Sequence, residues 1–249
     1  MNLPFAMSYE AAGFMALAVL VSAFVRGYSG FGFSAMVITA SGLVTNPLYF
    51  VTVVMLCEGV MTLQAWRGVG RDVDWRRVRL LMAGAAVGIP LGLWALTSIP
   101  ADAARAVISG YVLAMCLVLL VGWRLKGEVR GTAANLLAGV VSGLANAPGM
   151  GGLPVAAFFA AQAMPATVFR ATLVAYFPLL DIYSAPLYFY HGMISWDTLW
   201  ASLMTLPMVF LGNWAGGRHF LATDPKSFRV FAIGLLAVLA TAGLLKSVL

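Results

Sequence analysis

Few polar residues of this chain stand inside apolar stretches, and their types and spacing limit what chemistry they can do. Arg26 opens the glycine-rich run Arg26-Gly27-Tyr28-Ser29-Gly30-Phe31-Gly32, which has apolar residues on both sides. A second run, Asn146-Ala147-Pro148-Gly149-Met150-Gly151-Gly152, repeats the pattern without a basic residue. Glycine accepts positive φ and lets backbone come close to a ligand. A helix that restarts after such a break presents free amide N–H groups and the positive end of its dipole, which together suit an anion. The expected restarts are residues 31–40 and 150–160. If their tips meet, the backbone at Gly27, Gly30, Gly32, Gly149, Gly151 and Gly152 would enclose a small tetrahedral or pyramidal oxyanion. Tyr28, Ser29, Ser34 and Asn146 would add donors. The competing reading of these glycines is close helix packing by small residues.

Arg26 fits two roles. A charge inside an apolar span needs a cavity or a partner, so it either attracts an anion or snorkels to an interface and pairs with carbonyls. Glu58 and Asp181 are the acidic residues well inside apolar spans, and either could carry a proton; Glu58 could equally pair with Arg26, and Asp181 with Tyr183 or nearby hydroxyls. Arg170, one turn into its span, reads as a lipid or carbonyl anchor, with substrate contact as the alternative. His191 and His219 fall near loops, without a second ligand at metal-binding spacing. Cys57 and Cys116 lie in apolar spans and imply neither a disulfide framework nor a metal site.

These residues need a scaffold, and composition says which kind. Of 249 residues 62% are hydrophobic and 10% charged, with a mean hydropathy of +0.93, which places the chain among integral membrane proteins. Crossing the hydrocarbon takes about 20 residues of helix, and stretches of that length recur at 47–66, 80–99, 104–123, 169–190, 198–217 and 228–245. The two broken segments, 11–57 and 131–169, come in addition. The first apolar stretch lacks a basic leader and a marked cleavage site, so no signal peptide is expected. Trp66, Trp123, Tyr190 and Trp196 at span ends suit an interfacial aromatic belt.

Basic residues cluster in loops, and such clusters mark the cytoplasmic side. Arg67, Arg71, Arg76, Arg77 and Arg79 form one group, Arg124, Lys126 and Arg130 a second, and Arg218, Lys226 and Arg229 a third. If each broken segment is a hairpin returning to its own side, all three groups and Arg170 share one side, twelve of the fifteen basic residues. Asp102, Arg105, His191 and Asp197 then fall on the other side, with both termini. Gly92, Arg105 and Gly110 align with Gly216, Arg229 and Gly234 at one offset. Gly30-x-Gly32 aligns with Gly149-x-Gly151, and Asn46-Pro47 with Met164-Pro165, at slightly shorter ones. The fold class expected is an all-α integral membrane protein of two inverted repeats, residues 1–125 and 126–249. Each repeat would be a broken, hairpin-like segment followed by three transmembrane helices. Paired breaks of this kind point to a transporter's substrate site.

At these segments the chain resembles the TauE/SafE family of membrane permeases, over nearly its whole length. The resemblance is carried by Gly27-Tyr28-Ser29-Gly30-Phe31-Gly32, by Ser142-Gly143 through Gly149-Met150-Gly151-Gly152-Leu153-Pro154, and by Pro165-Ala166-Thr167-Val168-Phe169-Arg170-Ala171-Thr172 on to Asp181. Phe33-Ser34 replaces a glycine often found in the family's first break, and Asn146-Ala147-Pro148 lengthens the second. The resemblance implies export of sulfite or a small organosulfonate across a bacterial inner membrane.

The expected function is therefore a secondary transporter of small anions, working by alternating access and coupled to the proton gradient. Import of a related organic anion and an anion channel are the alternatives. No catalytic constellation of paired carboxylates, clustered histidines or a Ser-His-Asp set is recognisable, so no enzyme is expected, and no phosphate-binding loop supports an ATP-driven pump. The partners expected are a small sulfite- or sulfonate-like anion and the lipid bilayer, with a homodimer left open. Neither a cofactor nor nucleic acid is implied.

Overall fold

A computed structural model describes residues 3–29, 32–65, 72–122 and 127–220, with Gly234, Val238 and Thr241. Among the described residues the chain is helical, with no strand. After a 3-10 turn at Pro4–Ala6 come α1 (Tyr9–Ser29), α2 (Phe33–Val44), α3 (Leu48–Ala65), α4 (Trp75–Thr97), α5 (Ala101–Val121), α6 (Thr132–Asn146), α7 (Gly152–Ala160), α8 (Ala166–Tyr190) and α9 (Trp196–Phe220). The all-α membrane class is thus confirmed, and α1, α4, α5 and α8 contain stretches long and apolar enough to cross a bilayer. The spans expected at 47–66, 80–99, 104–123, 169–190 and 198–217 are α3, α4, α5, α8 and α9. The one expected at 228–245 lies outside the described residues apart from Gly234, Val238 and Thr241, and Gly30, Phe31, Trp66, Arg67, Arg71, Trp123, Arg124, Lys126, Lys226 and Arg229 lie outside them too.

Local chemistry sets the boundaries. Gly32, at φ 94°, starts α2 from a conformation closed to most side chains. The Asn46 side-chain oxygen accepts the Leu48 N–H and so opens α3. The Asp74 carboxylate accepts the Arg77 N–H and caps α4. Gly122, at φ 63°, ends α5. Both breaks are narrower than their sequences suggest. Arg26, Gly27, Tyr28 and Ser29 continue α1, Asn146 belongs to α6, and Gly152 opens α7. The restarts expected at 31 and 150 accordingly fall at Phe33 and Gly152. One glycine among good helix formers does not stop a helix, and Gly27 is used elsewhere, against α9.

Both broken segments fold back. The Phe5 ring stacks on Tyr49 with centroids 4.9 Å apart, and the Phe5 N–H donates to Asp197. The Thr52 hydroxyl donates to the Met193 carbonyl. The start of α1, the start of α3 and the α8–α9 loop therefore share one end of the molecule. At the other end, Gln162 beyond α7 accepts the Val129 N–H ahead of α6, and the Asp74 N–H donates to the Thr172 hydroxyl of α8. The α1–α2 hairpin thus opens from one end and the α6–α7 hairpin from the other. At 1.5 Å per residue, the 12 residues of α2 and 9 of α7 are about 18 and 14 Å long, so neither return arm crosses a bilayer.

Helix pairings fall into matching couples. α1 packs on α9 and α6 on α4, the two most extensive pairings; α3 meets α9 and α8 meets α4; α3 and α8 meet each other. Glycines make the two main seams. A Cβ added to Gly88 on α4 would collide with the Val140 carbonyl of α6, and one added to Gly212 on α9 would lie 2.5 Å from the Leu20 carbonyl of α1. Gly92 faces the Leu144 carbonyl as Gly216 faces that of Phe24. The matched glycines are 124 positions apart, and the carbonyls they meet 120. Small residues let helix backbones touch where lipid offers no hydrophobic drive for association.

Gly216→Val forces α1 and α9 apart and is expected to destabilise the purified protein by about 1–3 kcal/mol, the usual cost of overpacking. Gly110→Ala, with no atom within 4 Å of its added Cβ, should be neutral or stabilising by up to about 1 kcal/mol. Thermal unfolding in detergent compares the two; equal effects would show that the seam is slack.

Candidate functional site

The end of α1 carries Arg26 inward, where the residue is 8% exposed. Its guanidinium donates to the Glu58 carboxylate of α3 at 2.7 Å. The same carboxylate accepts from Ser34 twice, through the hydroxyl and through the backbone N–H in the first turn of α2. Glu58 therefore sits where the helix-restart argument places a bound anion: at the α2 N-terminus, beside a buried cation. Each part is needed. A lone carboxylate or guanidinium in this setting would cost several kcal/mol, and the α2 tip would keep an unpaired N–H.

α8 supplies the opposite wall. Phe177, Asp181, Ser184 and Tyr188 follow at helical spacing along one face. The Phe177 ring lies 5.6 Å from the Arg26 guanidinium carbon, and its edge is 2.9 Å from where a Gly152 side chain would begin. One ring thus separates the cation of the first break from the first residue of α7. Asp181 lies within electrostatic range of both Arg26 and Glu58, and its Oδ2 is buried without a hydrogen-bond partner among the described residues. Tyr188 is within range of both carboxylates and donates its hydroxyl to the Asn146 carbonyl at the end of α6.

The second break is held by its own polar groups. Ser142 donates to the Gly151 carbonyl at 2.6 Å and pairs with the Tyr176 hydroxyl at 2.8 Å. The Met150 N–H donates to the Ala145 carbonyl, and the Gly149 N–H to that of Asn146. Gly149, at φ 73°, turns the chain against Ile38 of α2 and Val51 of α3, where a Cβ would meet the Ile38 side chain at 2.8 Å. A Cβ on Gly151 would run into the Ser142 carbonyl and the Asn146 side chain at 2.8–2.9 Å. Both hairpins therefore touch: the turn of the second rests on the return arm of the first.

Arg26, Ser34, Glu58, Gly152 and Asp181 converge, with Asn146 joined through Tyr188. Gly27 faces the Asn213 carbonyl of α9, and Tyr28 is buried beside that seam at Gly216; both sit in helix packing. Ser29 ends α1 and Arg170 lies in α8, their side chains outside the described atoms. Tyr183 donates to the Ala86 carbonyl, not to Asp181. The sequence reading missed Phe177, Tyr188 and Tyr176. The positions 177, 181, 184 and 188 on one helical face were the available signal. Arg77, grouped by sequence with the loop arginines, is instead a buried cation in the first turn of α4, held by Asp74, Glu128 and Gln162 and lying over Phe159. That network ties α4 to the residues flanking the second hairpin.

Bilayer-length helices around two backbone breaks that meet in the interior define a multi-pass membrane protein of transporter architecture. The chain belongs to the sulfite exporter TauE/SafE family, which matches residues 14–242. It is accordingly a membrane transporter by family. No curated protein and no solved structure gives a match to this chain.

Tyr188→Phe removes the donor to a buried carbonyl and should cost about 1–3 kcal/mol. The thermal midpoint of purified protein checks it. An unchanged midpoint would mean that another donor satisfies Asn146.

Proposed function

We propose that this protein is a secondary transporter of small oxyanions, exporting sulfite or a small organosulfonate across a bacterial inner membrane by alternating access, coupled to the proton gradient. The observation that carries the reading is the buried Arg26 guanidinium at the α2 tip, within one aromatic ring of the second break. Oxyanions of this class present several acceptor oxygens, which a guanidinium fork, a serine hydroxyl and helix-tip amides can engage together. Export is the direction the family name carries. Asp181 and Glu58 are the proton-coupling candidates, because they share the interior with the cation. The breaks are lined by packing groups rather than by a continuous polar path, which favours a carrier over a channel. Membership of a transporter family argues against an enzyme.

Two repeats, residues 1–125 and 126–249, account for the matched pairings and for the opposed hairpins. An odd number of crossings per repeat inverts the second relative to the first, the usual basis of alternating access. The end that carries Arg76, Arg77, Arg79 and Arg130 is then cytoplasmic, and that of Asp102 and Asp197 periplasmic. Cysteines placed at Asp197 should label from outside intact cells and those at Asp72 should not; the reverse would overturn this orientation.

Arg26→Ala would strand Glu58 in the interior, a change that costs about 3–5 kcal/mol. Arg26→Lys is more informative, because it keeps the charge and loses the planar fork. It should fold and reach proteoliposomes, yet bind sulfite at least about tenfold more weakly, or about 1.4 kcal/mol, with sulfite flux reduced in step. Wild-type affinity in the Lys variant would take Arg26 out of the site.

A further inference from the structure

The seat that an oxyanion would use is taken. Glu58 holds the Arg26 guanidinium at 2.7 Å and both donors of Ser34. These are the charged side chain, the hydroxyl and the helix-tip amide that the transport reading assigns to the substrate. We propose that Glu58 is a tethered competitor for this seat, so that each bound anion requires Glu58 to take up one proton and give way. The proposal rests on the transport reading and adds how the proton is coupled.

Charge balance in a buried site carries the argument. With Glu58 ionised, Arg26 is neutralised from within. A monovalent oxyanion arriving beside that pair would set two anions on one buried cation, with Asp181 on α8 within range of both. Two like charges a few ångströms apart in a medium poorer than water repel by several kcal/mol. If the Glu58 carboxylate instead binds one proton from the water of the open side, it becomes a neutral carboxylic acid. The anion then takes its place on Arg26 and Ser34, and the net charge of the site is what it was before. No other bond is made or broken. The neighbours of Glu58 allow this exchange. α1 presents Arg26, α2 presents Ser34, and α8 presents Asp181 and Tyr188. On its own helix Cys57 is next in sequence, its thiol against Thr205 of α9. Arg26 is the one cation among these groups, so internal carboxylate and external anion compete for it. Release of the anion on the other side reverses the step, and the proton leaves as Glu58 returns to Arg26. Anion and proton would then cross in the same direction, one for one, so export runs down the anion's own outward gradient and against the inward proton gradient.

The test uses methanesulfonate, which stays fully ionised and so takes up no proton itself. Calorimetric titration of purified wild type in two buffers of different ionisation heat counts the protons bound with the anion. About one per anion is expected. Because the protonated form of Glu58 is the binding-competent one, raising the pH above its folded-state value depletes that form, and affinity should fall about tenfold per pH unit. Glu58→Gln should bind the anion with no proton uptake and with affinity that no longer falls as pH rises. Asp181→Asn separates the two carboxylates: uptake that survives there and vanishes in Glu58→Gln assigns the proton to Glu58, and the opposite pattern overturns the proposal. If Glu58→Gln fails to fold, the wild-type and Asp181→Asn counts still decide, since binding without proton uptake by wild type sinks the proposal alone. Failure of wild type to bind either methanesulfonate or sulfite at any pH removes the transport reading, and this inference with it.

Discussion

A chain that stops being helical inside a bilayer must find partners for every amide and carbonyl it frees, because lipid offers none. Most of what is specific about this fold answers that constraint. At the first break a carboxylate from the next helix comes to the freed end of α2, and a carboxylate there needs a cation, which α1 provides in Arg26. At the second break the freed groups are met by neutral donors, with Ser142 on the Gly151 carbonyl and Tyr188 on that of Asn146. One break is closed by an ion pair and the other by hydroxyls. The site is therefore electrostatically one-sided although the helices around it pair symmetrically.

Those partners can reach the breaks only because the helices that carry them lie close, and closeness here is a property of glycine. Gly84, Gly88 and Gly92 bring α4 onto α6, and Gly212 and Gly216 bring α9 onto α1. The pairing crosses between the halves of the chain: the first helix of each rests on a later helix of the other. The broken helices are thus held from outside by rigid seams, while their return arms, α2 and α7, are short and begin inside. Under the proposed mechanism the seams are the fixed frame, and the contacts between the hairpins are where the two ends of the molecule communicate.

How much of this could be read from the sequence depended on the range of the interaction. Helix existence was legible, since an apolar run of about 20 residues with charged ends has few other fates. The distribution of arginines pointed to broken segments that return to their own side, and both broken segments fold back. The extent of the breaks was not: Arg26 to Ser29 stay helical because Gly27 serves a seam with α9 that lies 186 positions away in sequence. Pairing with Arg26 was one of two roles the sequence left to Glu58, and the structure forms that pair at 2.7 Å. Ser34, which stands where the family often has glycine, turned out to be the second donor to Glu58. The α8 face of Phe177, Asp181, Ser184 and Tyr188 was present in the spacing but lost among the other aromatic residues of the same helix, Phe169, Tyr176, Tyr183, Phe189 and Tyr190.

The one-sided electrostatics bear on what a carrier of this design can discriminate. With Arg26 as its single cation among the described residues, the site balances one negative charge at a time, whether that charge belongs to Glu58 or to a guest. A doubly charged oxyanion would leave an excess charge in the interior even with Glu58 neutralised, at a cost set by the low local dielectric. A singly charged sulfonate or hydrogen sulfite would not. On the Arg26 side the site contains a charge, a hydroxyl and amide donors, all of which suit the oxygens of the head group. On the other side Phe177 closes against Gly152, an apolar surface that suits a small organic substituent and offers nothing to a fourth oxygen. Under the proposed function, selection between a pyramidal sulfur oxyanion and a fully oxygenated tetrahedral one falls to that ring, and the choice of ionic state to the single arginine beneath it.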